Sequence, residues 1–226
     1  MNVLIGCECT GTICSAFRAR GHNAYSCDIL PDQNNSVYHI QDDILKVLES
    51  KAYRPKTALI IPHDYWDLFI VHPDCTYLTC AAEWCYKDIE LQTKKLDPNK
   101  LYGEARRAAR INALQFVRDI IAASAHIPRI CIENPAYSKI NAVTRAAGLD
   151  VQFIQPHEYG HDASKRTGLA LRGLPRLSPT KHIEPRYIDG LPRWANQTDS
   201  GQNRLPPSAD RWLLRATTYP GWANAM

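Results

Sequence analysis

The chain opens on Asn2 to Gly6 (NVLIG), whose apolar centre Val-Leu-Ile runs without alternation. A short continuous apolar run of this kind reads as a strand buried on both faces. It breaks at the polar turn 7–11 (CECTG). The stretch 12–21 then places Ile13, Ala16 and Phe17 on one helical face and stops at Gly21. Residues 24–28 (AYSCD) read as a second strand ending in an acid. Strand, tight turn, helix, strand is how a doubly wound, nucleotide-binding sheet begins.

Further along, 42–51 reads as a short helix with Ile44, Leu45 and Leu48 on one face. The runs 57–61 (TALII) and 67–71 (DLFIV) read as buried parallel strands. Residues 83–103 are polar and lysine-bearing, with Pro98 and Gly103, and read mostly as loop. An amphipathic helix is predicted over 104–125, where Ala108, Ile111, Leu114, Phe116, Val117 and Ile120 oppose Arg106, Arg107, Arg110 and Arg118. Further strands are predicted at 129–133 (RICIE), 151–155 (VQFIQ) and 167–173 (TGLALRG). After Gly173 the pattern changes. Seven of the fifteen prolines fall between 175 and 220, and ten Lys/Arg face four Asp/Glu between 165 and 215. That segment is extended, basic and too aperiodic to hold a core of its own.

Composition narrows the class without naming it. The 226 residues are 45% hydrophobic and 22% charged, an ordinary globular balance. No apolar run approaches the ~18 residues of a membrane span. The first residues lack a basic n-region, so no signal peptide is expected and the expected location is the cytoplasm. The formal charge of +4 permits a polyanionic partner without demanding one. The eight cysteines are expected as free thiols in a reducing compartment. Cys75, Cys80 and Cys85 are spaced by five, and no C-x2-C pair answers another, so no metal centre is expected.

Four segments hold candidate chemistry. The turn 7–11 feeds a helix and offers backbone N–H groups to a ligand, and Asp28 stands where a carboxylate can accept from ribose hydroxyls. Neither feature is specific, and G-x-G-x-x-G is absent. Cys75 lies just beyond the 67–71 strand, where open α/β sheets bind ligands; there a thiol is either a nucleophile or a buried structural group. Glu133 ends the 129–133 strand and faces the same crevice, and a substrate nitrogen that needs a proton would justify a carboxylate beside a thiol. Lys165 and Arg166 are a solvated basic turn or, near Cys75, stabilisers of a thiolate and contacts for a phosphate.

In order, glycine turn, acid after strand two, D-D-I, P-x-C, E-N-P, a Y-G basic strand and a terminal Y-P-G-x-A-N-A, the chain resembles the S-adenosylmethionine-dependent DNA cytosine-5 methyltransferases, especially short divergent members from phage. The resemblance implies an α/β, Rossmann-like class I methyltransferase with a mostly parallel doubly wound sheet and a small basic, Pro-rich C-terminal appendage. It implies a catalytic and cofactor-binding domain over 1–173, a reduced substrate-recognition region over 174–217, and a terminal motif at 218–226 that returns to the cofactor site. Cofactor contacts are then expected from Gly6, Thr10, Gly11, Asp28, Asp43, Pro73 and Asn224. Cys75 would attack cytosine C6 while Glu133 protonates ring N3, with Lys165 and Arg166 in the basic catalytic motif. Thr79, Asn134, Lys94 and Lys95 would meet the substrate.

Cytosine C5 becomes nucleophilic only after a thiolate adds at C6, which is why the residue set contains a thiol and an acid. In a duplex the base would have to be flipped out of the stack. The expected partner is nucleic acid, DNA first and RNA second, with no membrane. The chain departs from the family at Glu8 and Cys9 in the glycine turn, at Asp74 beside the nucleophile, at E-N-P, and at Thr167. Nor is a large recognition domain expected, with only a Pro-rich basic stretch in its place. These departures keep two further readings open: the same chemistry on RNA or a free pyrimidine nucleotide, and a non-catalytic nucleic-acid- or cofactor-binding protein.

Overall fold

The computed structural model describes residues 1–50, 52–53, 61–62, 64–80, 83–88, 97–208, 211–216 and 218–226. In chain order the elements are β1 (Asn2–Gly6), α1 (Thr12–Ala19), β2 (Asn23–Asp28), β3 (His39–Gln41), α2 (Ile44–Glu49), β4 (Ala52–Tyr53), β5 (Ile61–Pro62) and β6 (Leu68–Val71). They continue through α3 (Gly103–Ala123), β7 (Arg129–Pro135), α4 (Ile140–Ala146), β8 (Asp150–Ile154), β9 (Thr167–Arg172), β10 (Arg186–Ile188), β11 (Leu191–Arg193), α5 (Arg211–Ala216) and α6 (Pro220–Ala225).

A seven-stranded sheet in the order β3-β2-β1-β6-β7-β9-β8 forms the frame. β3, β2, β1, β6 and β7 are mutually parallel, whereas β9 runs antiparallel between β7 and β8. The chain steps outward from β1 to β2 and β3, then returns to the other side of β1 as β6. The strand order therefore reverses between β1 and β6, and the crevice beyond their carboxyl ends is where such sheets take ligands. This is the expected Rossmann-like α/β fold with a mostly parallel, doubly wound sheet.

Both faces of the sheet are covered, which explains the unbroken apolar runs. Val3 and Ile5 of β1 pack with Ile13, Phe17, Leu169 and Trp222 on the α1 and α6 side. Leu4 packs with Ile44, Val47, Phe69, Val117 and Ile120 on the α2 and α3 side. Each such fully buried aliphatic side chain is worth roughly 1.5–3 kcal/mol. At the end of β1 a Cβ on Gly6 would come within 2.9 Å of Ile44 Cγ1 and 3.0 Å of the Phe69 ring. The glycine there lets α2 close over the strand, so its missing side chain serves packing first.

One strand was not predicted, and two predicted segments differ. Residues 39–41 form an edge strand with no apolar pattern of their own, paired to β2. Ile61–Pro62 pairs antiparallel with Ala52–Tyr53 in a separate two-stranded sheet, outside the main one; the rest of the 57–61 prediction lies outside the described residues. Within 83–103, read as loop, Glu83–Tyr86 is a 3-10 turn. Among the described residues no helix is long and apolar enough to cross a membrane.

Candidate active site

The turn after β1 is closed by one of its own side chains. Glu8, only 5% exposed, accepts from Ile13 N at 2.7 Å and Cys14 N at 3.3 Å, two of the N–H groups that α1 would otherwise leave unsatisfied. Of the backbone N–H groups expected to face a ligand, those of Ile13 and Cys14 are therefore already taken by the Glu8 carboxyl. Burial pushes the Glu8 carboxyl up, opposed by His72 and by those two hydrogen bonds. Gly11 is the N-cap in the left-handed region, φ 66°, which glycine takes without cost. Thr10 contacts Thr12 Oγ1 at 3.2 Å through its hydroxyl, and its carbonyl accepts from Asn34 Nδ2, so the 29–38 loop leans on the turn.

The acids after β2 and β3 gather at the same edge. Asp28 Oδ1 accepts from Leu30 N at 2.9 Å. Asp43 is the N-cap of α2 and accepts from Leu45 N at 2.9 Å. Both carboxylates, together with Asp74, act on the Cys7 thiol, which burial first and these charges next push up to about 12. Asp28, Asp43 and Asp74, which follow β2, β3 and β6, thus all act on the Cys7 thiol at this end of the sheet.

Across the switch point, the turns after β6 and β7 are laced together. Asn134 Nδ2 donates to Pro73 O at 3.2 Å, Ser138 Oγ to Leu78 O at 3.0 Å, and Cys80 N to Tyr137 O at 2.9 Å. Thr79 bridges Ser138 through the backbone. Asp74 accepts from Thr76 N at 2.9 Å and Thr76 Oγ1 at 2.7 Å, an Asx turn that carries Cys75 across its tip. Arg110 fastens the same loop from α3, donating to Tyr77 O at 2.9 Å while paired with Glu83 at 2.8 Å.

Cys75 is half-buried. Burial, then Asp74 and Glu133, hold its thiol above the ordinary cysteine value, and Lys165 and Arg215 pull against them without prevailing. Lys165 and Arg215 are thus the basic neighbours of the thiol, and burial together with the two acids outweighs them. Glu133 lies 3.0 Å from His72 Nδ1. Burial pushes its carboxyl up, yet the His72 hydrogen bond and charge, with Lys165, leave it below the usual carboxylate range.

The structure therefore brings Cys75, Glu133, Asp74 and Lys165 together, with Pro73 buried behind them. Lys165 Nζ donates to Ala216 O at 3.3 Å. Arg166 turns elsewhere: it donates to Tyr137 Oη at 3.0 Å and lies over the Phe153 ring. Asn134, expected at the substrate, is 2% exposed; its Nδ2 donates to Pro73 O and braces the turn that carries Cys75, while its Oδ1 is buried without a hydrogen-bond partner among the described residues. Asn224, expected at the cofactor, accepts from Arg20 at the carboxyl end of α1, a whole helix away from the turn 7–11. Lys94 and Lys95 lie outside the described residues.

No protein-family model matches the chain, and no curated protein does. Among solved structures it is similar to a methyltransferase of Entamoeba histolytica, EhMeth, at 18% identity and TM-score 0.46, over 81% of this chain and 58% of that one. It is similar also to the S. pombe Dnmt2 methyltransferase, at 18% identity and TM-score 0.41, over 77% and 51%. A Spodoptera frugiperda DNMT2 variant follows at 13% identity and TM-score 0.42, over 84% and 56%. The chain spans little more than half the length of these proteins. At such values the likeness concerns chain path alone.

Two residues at the site escape a reading by motif. His72 is one, because nothing in H-P-D-C announces a partner 61 residues away. Ile29 is the other: it follows Asp28 and is 74% exposed, an apolar side chain at the crevice edge. Its exposure, not its sequence context, marks it.

Proposed function

We propose that this chain transfers a methyl group from S-adenosylmethionine to C5 of cytosine in a nucleic acid, with DNA as the first acceptor. The observation that carries the reading is the placement of a half-buried thiol, Cys75, within electrostatic reach of a largely buried carboxyl, Glu133, at the ends of adjacent parallel strands beside the switch point. Cys75 adds to C6 of the base, and Glu133 gives N3 the proton that lets the ring accept the electron pair. Lys165 offsets the negative charge that builds up beside both.

The residues across the crevice fit a cationic, phosphate-free cofactor. Asp28 and Asp43 offer carboxylates to hydroxyl and amine groups, Ile29 offers an apolar face to a purine, and Glu8 denies the helix end to a phosphate. When bound, S-adenosylmethionine supplies a methyl carbon on a positively charged sulfur, which an acid-lined crevice favours.

The raised Cys75 thiol favours a second reading, a nucleic-acid- or cofactor-binding protein that forms no adduct. The test is nucleoside mass spectrometry after incubation with S-adenosylmethionine and DNA, RNA or dCMP, with Cys75→Ala alongside. A Cys75-dependent 5-methylcytosine signal is expected, and the acceptor that gives it names the substrate. Methylation undiminished in Cys75→Ala would sink the covalent mechanism. The absence of product, together with no covalent capture of 5-fluorocytosine DNA, would favour the binding protein.

A further inference from the structure

Glu133 has a partner that the proposed chemistry has not yet used. His72 follows β6, and its backbone N–H donates to Gly6 O at 3.0 Å, which fixes the origin of the ring between β1 and β7. Its Nδ1 lies 3.0 Å from Glu133 Oε2, and both side chains are 13% exposed. Its Nε2 is buried and has no hydrogen-bond partner among the described residues. Glu8 is the other buried carboxylate within electrostatic reach, but its oxygens are taken by Ile13 and Cys14 N–H. The ring's hydrogen bond therefore goes to Glu133. A carboxylate only accepts, so the pair also fixes the tautomer, with the proton on Nδ1.

We propose that His72 is a positioning residue for Glu133: its Nδ1–H holds Oε2, leaves Oε1 for the base, and sets the pH range over which Glu133 serves as an acid. The purpose of the pair rests on the cytosine reading above, whereas its existence does not. In the step itself the Oε1–H bond breaks and an N3–H bond forms. The electron pair stays on Oε1, and the carboxylate so produced is the form that His72 stabilises. His72 thus strengthens the acid at the cost of a smaller protonated fraction near neutral pH. Other groups face the pair. Cys131 lies on the same strand, Cys75 and Asp74 come from the turn after β6, Lys165 precedes β9, and Glu8 faces His72 from the turn after β1. Of these, Lys165 acts on Glu133 in the same direction as His72.

Two measurements on the intact protein test this without substrate. Long-range 1H–15N correlation of the His72 ring at pH 7 is expected to show the proton on Nδ1; a bare Nδ1 overturns the proposal and needs no variant. Carbon-13 glutamate labelling then follows the Glu133 carboxyl through a pH titration, its signal assigned by its loss in Glu133→Gln. In His72→Leu the midpoint is expected to rise by about one pH unit or more, because burial is less opposed. In His72→Asn, whose amide restores a donor, it is expected within about half a unit of the parent. An unchanged midpoint in His72→Leu overturns the proposal, since a merely structural histidine would leave it in place. If the titration behaves as expected and no acceptor is methylated, the pair stands and the cytosine reading falls.

Discussion

Replacing Asp74 with asparagine removes one negative charge beside Cys75 and leaves the turn intact. The asparagine Oδ1 still accepts from Thr76 N and Oγ1, the two bonds that Asp74 makes. Taking about 6 Å as a generic separation for charges on adjacent residues and an effective dielectric of about 40 for so exposed a carboxylate, 332/(40 × 6) gives about 1.4 kcal/mol, or about one pKa unit; a dielectric of about 80 halves it. Burial is the largest cause of the raised thiol, so Asp74→Asn lowers the Cys75 midpoint without returning it to that of a free cysteine. The thiolate fraction at pH 7 rises about three- to tenfold, while intrinsic nucleophilicity falls with pKa at a slope of about 0.4–0.5. The net expectation is alkylation of Cys75 by iodoacetamide about two- to fourfold faster, read peptide by peptide across pH 6–10. Exposed Cys80 is the internal reference and is expected to keep its rate. A Cys75 midpoint that stays put or rises, with Cys80 unchanged, would show that Asp74 does not hold the thiol up.

Asp43 has two jobs that substitutions separate. Asp43→Ala and Asp43→Ser are both expected to weaken S-adenosylmethionine binding by calorimetry, but only Ala, which loses the α2 cap, costs about 0.5–2 kcal/mol in a melt. Parent-like affinity in Asp43→Ser would remove the carboxylate from the cofactor site. For Glu8 the folded carboxyl is raised, so its contribution is fully present below the unfolded value of about 4.3 and is lost as pH climbs through the folded one. Glu8→Gln is therefore expected to gain on the parent in urea midpoint between pH 4.5 and pH 8, and a constant difference would contradict the assignment. Lys139, Lys165 and Arg215 are cations around the described site, so log K for DNA against log salt is expected to fall with a slope near −0.9 × 3, about −2.7. A slope of about −8 in a binding titration would place the interface elsewhere.

The sheet was legible because its strands are covered on both faces, and coverage leaves an unbroken apolar run in the sequence. β3 was not, because a three-residue edge strand takes its hydrogen bonds from β2 and needs no pattern of its own. Cys75 and Glu133 were legible because each follows such a run at a strand's carboxyl end. The residues that tune them were not. His72 meets Glu133, and Glu8 meets α1, only through pairings that the fold creates, and a single chain carries no local mark of either. Asn134 and Asn224 mark the opposite limit. Their motifs were visible, but Asn134 Nδ2 donates to Pro73 O and Asn224 sits by Arg20, pairings that no motif announces.

The basic C-terminal stretch is where composition and structure part most clearly. Ten cations between 165 and 215 read as a display of charge for a polyanion, yet several of the arginines tie loops together. Arg186 pairs with Asp199 at 2.6 Å and donates to Gln197 O; Arg193 donates to Asp199 O, Arg204 to Gln197 O, and Arg176 pairs with Asp150 at 2.6 Å. A segment rich in proline and without a core leaves many carbonyls unsatisfied, and the guanidinium fork, with five donors, is the side chain that can satisfy several at once. Carbonyl partners fix the direction of these charges without neutralising them, whereas Asp150 and Asp199 do neutralise two. The appendage is in turn pinned to the segment that carries Lys165. Trp194 stacks on His157 at 4.1 Å, Asn196 exchanges hydrogen bonds with Ser164 N and O, and Ala195 N donates to Asp162. The stretch therefore holds the backbone at 162–164 in place, which fixes the position from which Lys165 reaches Cys75 and Glu133.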